Sequence, residues 1–320
     1  MNEGHGLPPE TTCLINPKAA NSKWMRKKKL RAYLHSRLPG SIHDVMSNKE
    51  NTVELSRRTS AHSQILVAIG GDGTIADVIQ GIMEAGRRKD VALGIIPFGS
   101  GNAFRKSFGI RKNTRKAIRQ LIEGRVREVD LMEVEGRYAG FASVGATAAA
   151  TPEKRNSSYP GLFVHLANIP KFFSGLDTLK TIELFDGEDD GGREFRHQIV
   201  ESSFFDCVVS KTNHFGYGWR VAPQARLDDG YLHVTLFETG PWKYILNFPL
   251  IYSGIYQRTQ RHFKAKKIII RGKGLPVQYH GEFIGVRDQV EFAVVPRSLR
   301  IICPPPKSRR RDQRKTPAAG

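Results

Sequence analysis

The feature that most constrains this chain is Gly70-Gly71-Asp72-Gly73-Thr74, set between the apolar run Ile65–Ile69 and a segment of helical periodicity. In that segment Ile75, Val78, Ile79, Ile82 and Met83 fall at i, i+3, i+4, i+7 and i+8, one face of an amphipathic helix. A buried strand therefore runs through a glycine turn straight into a helix. Three glycines in four positions allow backbone conformations closed to other residues and let a ligand approach the main chain. Amide groups there, aided by the helix dipole, face an anion. Asp72 repels a phosphate, so it has two readings: a Mg²⁺ ion lies between it and the phosphates, or it caps a tight turn.

A second loop, Pro97-Phe98-Gly99-Ser100-Gly101-Asn102, follows the apolar run Ala92–Ile96. A third, Asn16-Pro17-Lys18-Ala19-Ala20-Asn21-Ser22, follows the short strand Cys13–Ile15 and opens a basic helix predicted over Lys23–Leu38. Thr114 reads as the N-cap of a further helix that buries Ala117, Ile118, Leu121 and Ile122 and ends at Gly124. Strands alternating with helices predict a parallel α/β sheet, whose carboxyl edge is where such folds bind ligands. Three phosphate-type loops on one edge argue for a nucleotide. The Walker pattern and a G-x-G-x-x-G opening the first helix are both absent, which sets aside the P-loop and dinucleotide readings.

After Asp130 strand-like segments dominate: Leu131–Val134, Phe204–Val209, Tyr231–Phe237, Lys267–Ile270, Val290–Val295 and Leu299–Cys303. Two aromatic-rich stretches, Leu162–Leu176 and Trp242–Tyr256, read as helices that either join the core or touch a bilayer surface. The 320 residues carry a formal charge of +19, concentrated in Lys23–Arg31, Arg105–Arg127, Arg258–Lys273 and Lys307–Lys315. Such a charge attracts polyanions but does not choose among nucleic acid, nucleotide phosphates and anionic lipid. The three cysteines, Cys13, Cys207 and Cys303, have no C-x-x-C spacing and read as buried thiols. Neither a secretory signal nor a lipidation motif is visible, so a reducing, intracellular setting is expected.

The ordered set N-P-x-x-x, G-G-D-G-T, P-x-G-[ST]-G-N-x-F, A-P-x-A-x-x-D-D-G and a late G-E, over roughly Leu14 to Val295, resembles the diacylglycerol kinase catalytic-domain family. That family includes bacterial lipid kinases and sphingosine and ceramide kinases. The resemblance implies a Rossmann-like α/β domain followed by a β-sandwich domain, with ATP in the cleft between them. It divides the chain into a tail (1–10), an ATP-binding domain (11–131), a lipid-substrate domain (132–296) and a basic tail (305–320), with a strand at about 297–304 packing back on the first domain. Asn16, Pro17, Lys18, Ala19 and Ala20 would contact ATP, as would Gly70, Gly71, Asp72, Gly73, Thr74, Ile75, Ala76, Ser100 and Ser47. Asp72 would serve Mg²⁺ at the phosphates, with Lys18 or Arg105 as further charge. A structural Mg²⁺ would take the carbonyls of Arg226 and Tyr231 and the carboxylate of Asp229. On the residues alone, Asp228-Asp229-Gly230 is equally a hairpin turn without metal. Glu282 would be the general base for a lipid hydroxyl.

The chain departs from the family pattern at several points. His280 stands before Gly281-Glu282 where the family has Asp, and Ala103 replaces another carboxylate. Ala76 and Asp77 replace Asn and Glu, and Ala19-Ala20 stand for Ser-Gly. The function expected from the resemblance is an ATP- and Mg²⁺-dependent lipid kinase in phospholipid metabolism, acting on diacylglycerol or a sphingoid lipid. It would be cytoplasmic, peripheral at an anionic membrane, without specific nucleic-acid binding, and open to homodimerisation. Two rival readings remain open: an NAD kinase-like enzyme on a soluble dinucleotide, and a non-catalytic nucleotide or lipid sensor.

Overall fold

A computed structural model describes residues 7–8, 10–16, 27–38, 41–44, 49–98, 103–151, 178–215 and 219–305; the side chains of residues 41–44 and 49–50 are not described. The expected helix Leu162–Leu176 lies outside these residues, as do positions 17–20, 47 and 100.

The first half is a parallel α/β unit. Its strands are β1 (Thr11–Ile15), β2 (Ser41–Asp44), β3 (Ile65–Gly70) and β4 (Ala92–Pro97). They lie in the order β4-β3-β1-β2, all pairs parallel. Helices α1 (Lys28–Arg37), α2 (Lys49–Ser60), α3 (Asp72–Glu84), α4 (Ala103–Ser107) and α5 (Thr114–Ile122) complete it. Every residue of β3 and β4 is buried, as expected of parallel strands covered on both faces. The apolar face of α3 packs Ile75, Val78, Ile79 and Ile82 against Leu66 and Leu93 in one core cluster. The cap of α5 is Asn113, whose side chain accepts from Lys116 N, and not Thr114 as the sequence suggested. An Asn one residue upstream caps as well as Thr, and the helix takes it.

The second half is antiparallel. Strand β5 (Arg125–Val134) leads to β6 (Arg137–Ala139), β7 (Phe141–Gly145) and the short helix α6 (Ala146–Ala149). Then come β8 (Lys180–Glu188), β9 (Glu194–Ser202), β10 (Asp206–Ser210) and β11 (Leu232–Phe237). Helices α7 (Pro241–Leu246) and α8 (Phe248–Ser253) precede the two long strands β12 (Arg261–Tyr279) and β13 (Glu282–Cys303). The segments read as separate strands at Val290–Val295 and Leu299–Cys303 are one strand with an irregularity between Val295 and Leu299, where Arg297 takes φ 45°.

The two halves share hydrogen bonds. Near its start β13 pairs with β12. Near its end it pairs in parallel with β4 at Arg300–Ala92 and Ile301–Leu93. Along most of its length it also pairs with β5, from Phe292–Val134 to Cys303–Arg125. The boundary expected at 131/132 therefore falls inside β5. All three cysteines are buried and free.

Candidate active site

The three loop-bearing strands end side by side, because β3 lies between β1 and β4. Asn16 fastens them. Its main-chain N–H donates to Ile69 O at 3.0 Å, and its side-chain Nδ2 donates to Thr74 Oγ1 at 3.1 Å. Phe98 N donates to Gly70 O at 2.7 Å. A Cβ on Gly70 would lie 2.6 Å from the Thr74 side chain, so glycine here is required by the close start of α3. Gly71, which has no side chain to cap with, is the N-cap of α3.

Asp72 opens α3 and reaches across to α4: Oδ2 accepts from Ala103 N at 2.9 Å and Oδ1 from Phe104 N at 3.3 Å. Each carboxylate oxygen thus holds a backbone donor, which gives Asp72 a positioning role for the loop before Ala103. Its charge also favours the cationic form of Arg105, which burial opposes more strongly and so lowers. Arg105 Nη1 donates to Ile110 O at 2.8 Å. The Ile75 side chain is fully buried in the core cluster behind the glycine turn, which leaves its main chain as the part of this position open to the contact expected there. Ala76 lines an open cavity of about 490 Å³ together with Asp77, Gln80, Arg137 and Tyr279.

Glu282 arrives from the other half of the molecule. The turn joining β12 to β13 is His280-Gly281, with φ of 47° and 77° at the two positions, the left-handed pair of a two-residue type I′ hairpin. The pairing Tyr279–Glu282 closes it. Glu282 Oε2 accepts from the Tyr279 hydroxyl at 3.2 Å, and that hydroxyl accepts from Arg137 Nη1 at 2.7 Å. Oε1 points towards the glycine turn: among the described residues it is the nearest atom to a Cβ built on Gly73, at 4.0 Å. The carboxylate of the late G-E motif therefore lies close to the first turn of α3.

His280 is 6% exposed and takes on a packing role. Its Nε2 accepts from Gly140 N at 3.0 Å, so the proton of the neutral ring sits on Nδ1. Its ring lies 4.6 Å from that of Phe104 and 4.9 Å, edge-on, from that of Phe141. Phe104 is the residue whose N–H Asp72 holds, so Asp72, Phe104, His280 and the hairpin carrying Glu282 form one packed series. Sequence reasoning missed Arg137 and Tyr279; a Tyr three residues before Glu282 is the only signal, and it is weak.

The set expected to hold a structural Mg²⁺ does not fit an ion. Asp229 Oδ1 and the Tyr231 carbonyl both accept from the Lys211 ammonium, the latter at 2.8 Å, and the same Nζ lies 2.8 Å from Asp130 Oδ2. Lys211 is wholly buried. Burial would raise the Asp229 pKa, but hydrogen bonds from His233 and Lys211, with the charge of Lys211, hold it well below the usual carboxylate range. Among the described residues no three His, Cys, Asp or Glu side chains form a metal-binding group.

A parallel sheet edge that carries the glycine turn thus meets a carboxylate on a hairpin of an adjoining antiparallel unit. Residues 10–134 match the diacylglycerol kinase catalytic domain, and residues 185–303 match the YegS C-terminal NAD kinase beta sandwich-like domain. The chain is 28% identical over 187 residues to a diacylglycerol kinase of Staphylococcus saprophyticus, covering 58% of each chain. Against a diacylglycerol kinase of Staphylococcus aureus the identity is 29%, over 58% of this chain and 56% of the relative. The matched region thus spans a little over half the length of these relatives. A crystal structure of a Bacillus anthracis protein superposes with a TM-score of 0.75 at 17% identity, covering 95% of this chain and 98% of that one. Another, of a diacylglycerol kinase from the same organism, gives 0.68 at 18% identity over 95% and 99%. At that identity the structures speak for the fold.

Proposed function

We propose that the protein is a lipid kinase that transfers the γ-phosphate of ATP, as its Mg²⁺ complex, to the hydroxyl of diacylglycerol or a related lipid. The observation that carries this reading is the approach of Glu282 Oε1 to the Gly73 turn, 4.0 Å from where a Cβ on Gly73 would stand. Phosphoryl transfer needs positioning and charge stabilisation more than covalent help. The start of α3 and the glycine backbone supply N–H groups for the phosphates. As the lipid oxygen bonds to the γ-phosphorus and the bond to the β–γ bridging oxygen breaks, the hydroxyl proton passes to Glu282. Tyr279, whose hydroxyl is itself held by Arg137, donates to the other carboxylate oxygen and fixes the orientation of that base. When bound, Mg²⁺ supplies charge neutralisation at the phosphates.

The surface of α7 and α8 supports peripheral attachment to an anionic bilayer. Tyr244, Phe248 and Ile251 point into the core, whereas Trp242 (66%), Leu246 (78%), Leu250 (44%) and Ile255 (54%) are exposed, with Lys243 and Arg258 beside them in sequence. Apolar side chains flanked by cations suit an interface of acyl chains and anionic headgroups. Among the described residues no helix is long and apolar enough to cross a membrane.

The test is transfer of radiolabel from γ-labelled ATP to a panel of lipids in mixed micelles, with NAD as a soluble acceptor and Glu282→Gln as the control. Removing a general base costs ~10²–10⁴-fold in rate, so the variant should lose that much turnover on the accepted lipid while still binding ATP. Transfer to NAD alone would move the protein to a soluble-nucleotide kinase. ATP binding with no acceptor phosphorylated would favour a sensor, and unchanged turnover in the variant would remove Glu282 from the mechanism.

A further inference from the structure

We infer that Lys211 is a built-in cation that occupies the structural divalent-ion position of this fold, so that the folded chain is independent of metal there. The inference rests on geometry and stands apart from the lipid-kinase reading. The Nζ of Lys211 is bonded to Asp229 Oδ1, to the Tyr231 carbonyl at 2.8 Å and to Asp130 Oδ2 at 2.8 Å. Asp229 and the Tyr231 carbonyl are two of the three ligands the family resemblance assigns to the ion. An ammonium has three N–H donors, and these three acceptors use all of them.

The surroundings are those of a structural cation site. Lys211 is 0% exposed and the Asp130 side chain 2%. The deeply buried Asp130 carboxylate and the partly buried one of Asp229, 19% exposed, surround a wholly buried ammonium, and an unpaired buried charge is strongly destabilising. Asp130 also ties down the chain around the site: Oδ2 accepts from Gly230 N at 2.8 Å and Oδ1 from Arg297 N at 2.9 Å. Its own N–H donates to Leu227 O at 2.7 Å. The ammonium thereby links the end of β10, strand β5, the Asp228-Asp229-Gly230 turn and the irregularity in β13.

The remaining oxygen of Asp229 is also satisfied. Oδ2 lies 2.9 Å from His233 Nε2, His233 Nδ1 lies 3.3 Å from His262 Nε2, and His262 Nδ1 lies 2.6 Å from Gln224 Nε2. One set of neutral tautomers fits every contact: Gln224 donates to His262, His262 to His233, and His233 to Asp229. A divalent ion on the same oxygens would stand within contact range of the ammonium, in a buried place where like charges repel strongly.

The experiment uses the full chain without nucleotide. The wild type is purified without chelator, its divalent metal content is measured, and its thermal unfolding is followed with EDTA, with MgCl₂ or CaCl₂, and with NaCl at matched ionic strength. The same is done for Lys211→Ala, which leaves two facing carboxylates and room for an ion. The wild type should carry no stoichiometric divalent ion, and its Tm should be the same with EDTA as with either salt. The variant should melt lower by on the order of 10 °C, and Mg²⁺ or Ca²⁺ should restore part of that loss where NaCl does not. A wild type that holds one divalent ion per chain and loses Tm in EDTA would overturn the inference. So would a Lys211→Ala variant whose Tm matches the wild type or ignores divalent ions. If that variant does not fold, the wild-type metal content and EDTA response decide alone.

Discussion

Asp206 illustrates how a single residue couples this fold to pH. It is wholly buried at the start of β10, where Oδ2 accepts from the Tyr244 hydroxyl at 2.9 Å and from the Thr147 hydroxyl, and Oδ1 from Thr147 N at 3.2 Å. Burial pushes its pKa from 3.8 up to about 7, against the opposing effect of those hydrogen bonds. A carboxyl whose pKa is raised on folding holds a proton in the native state that the unfolded chain has already released. Its contribution to stability is therefore complete below the ordinary carboxylate range and is lost as pH rises towards about 7. Asp206→Asn, which keeps the shape and stays neutral, should flatten the decline in urea midpoint across that interval. An unchanged slope would place the pH dependence on another group. Glu282 and Lys211 belong to the same scale: each acts through one or two atoms held by a few named neighbours.

At the scale of elements, α7 and α8 divide their aromatic and aliphatic residues between two environments. Their periodicity alone is compatible with core or membrane; in the fold one face joins the core and the other is exposed. Tyr244 packs edge-on against Phe205 and Phe237, and Phe248 against Trp219, which anchors the pair of helices in their own cluster. Trp242 and Leu246 remain outside. Replacing both with Ser should leave the melting temperature nearly unchanged, because neither is in the core. Sedimentation with phosphatidylglycerol vesicles should fall, since each buried aliphatic or aromatic side chain contributes about 1.5–3 kcal/mol. Full binding by the double variant would put the membrane contact elsewhere. The β12–β13 hairpin is the other element on which function turns. A slip of one residue there would send Glu282 to the opposite face of the strand, and the left-handed His280-Gly281 pair prevents it.

At the scale of the whole molecule, β5 and β13 run through both halves. One strand pairs with β12 near its beginning and with β4 near its end. The α/β unit therefore cannot open its sheet without stripping hydrogen bonds from the antiparallel unit. Calorimetry should show a single cooperative transition with the calorimetric and van't Hoff enthalpies in agreement. Two resolved transitions would mean that the shared strands do not couple the halves.

The sequence by itself determined the local order of elements and the identity of the loops. Apolar runs such as Ile65–Ile69, the helical spacing from Ile75 to Met83 and the glycine turn between them are set by short-range sterics and burial, which neighbouring residues report directly. The family resemblance likewise pointed to Glu282. Only the tertiary structure decided what those groups face. That Asp72 holds the start of α4, that His280 packs between Phe104 and Phe141, and that Ile75 turns away from the site all depend on contacts between distant segments. Lys211 shows the limit most sharply: nothing around Ser210-Lys211-Thr212 marks it out. Its role exists because β10 ends beside Asp130 and the Asp229 turn, and a buried charge is defined by the partners that folding brings to it.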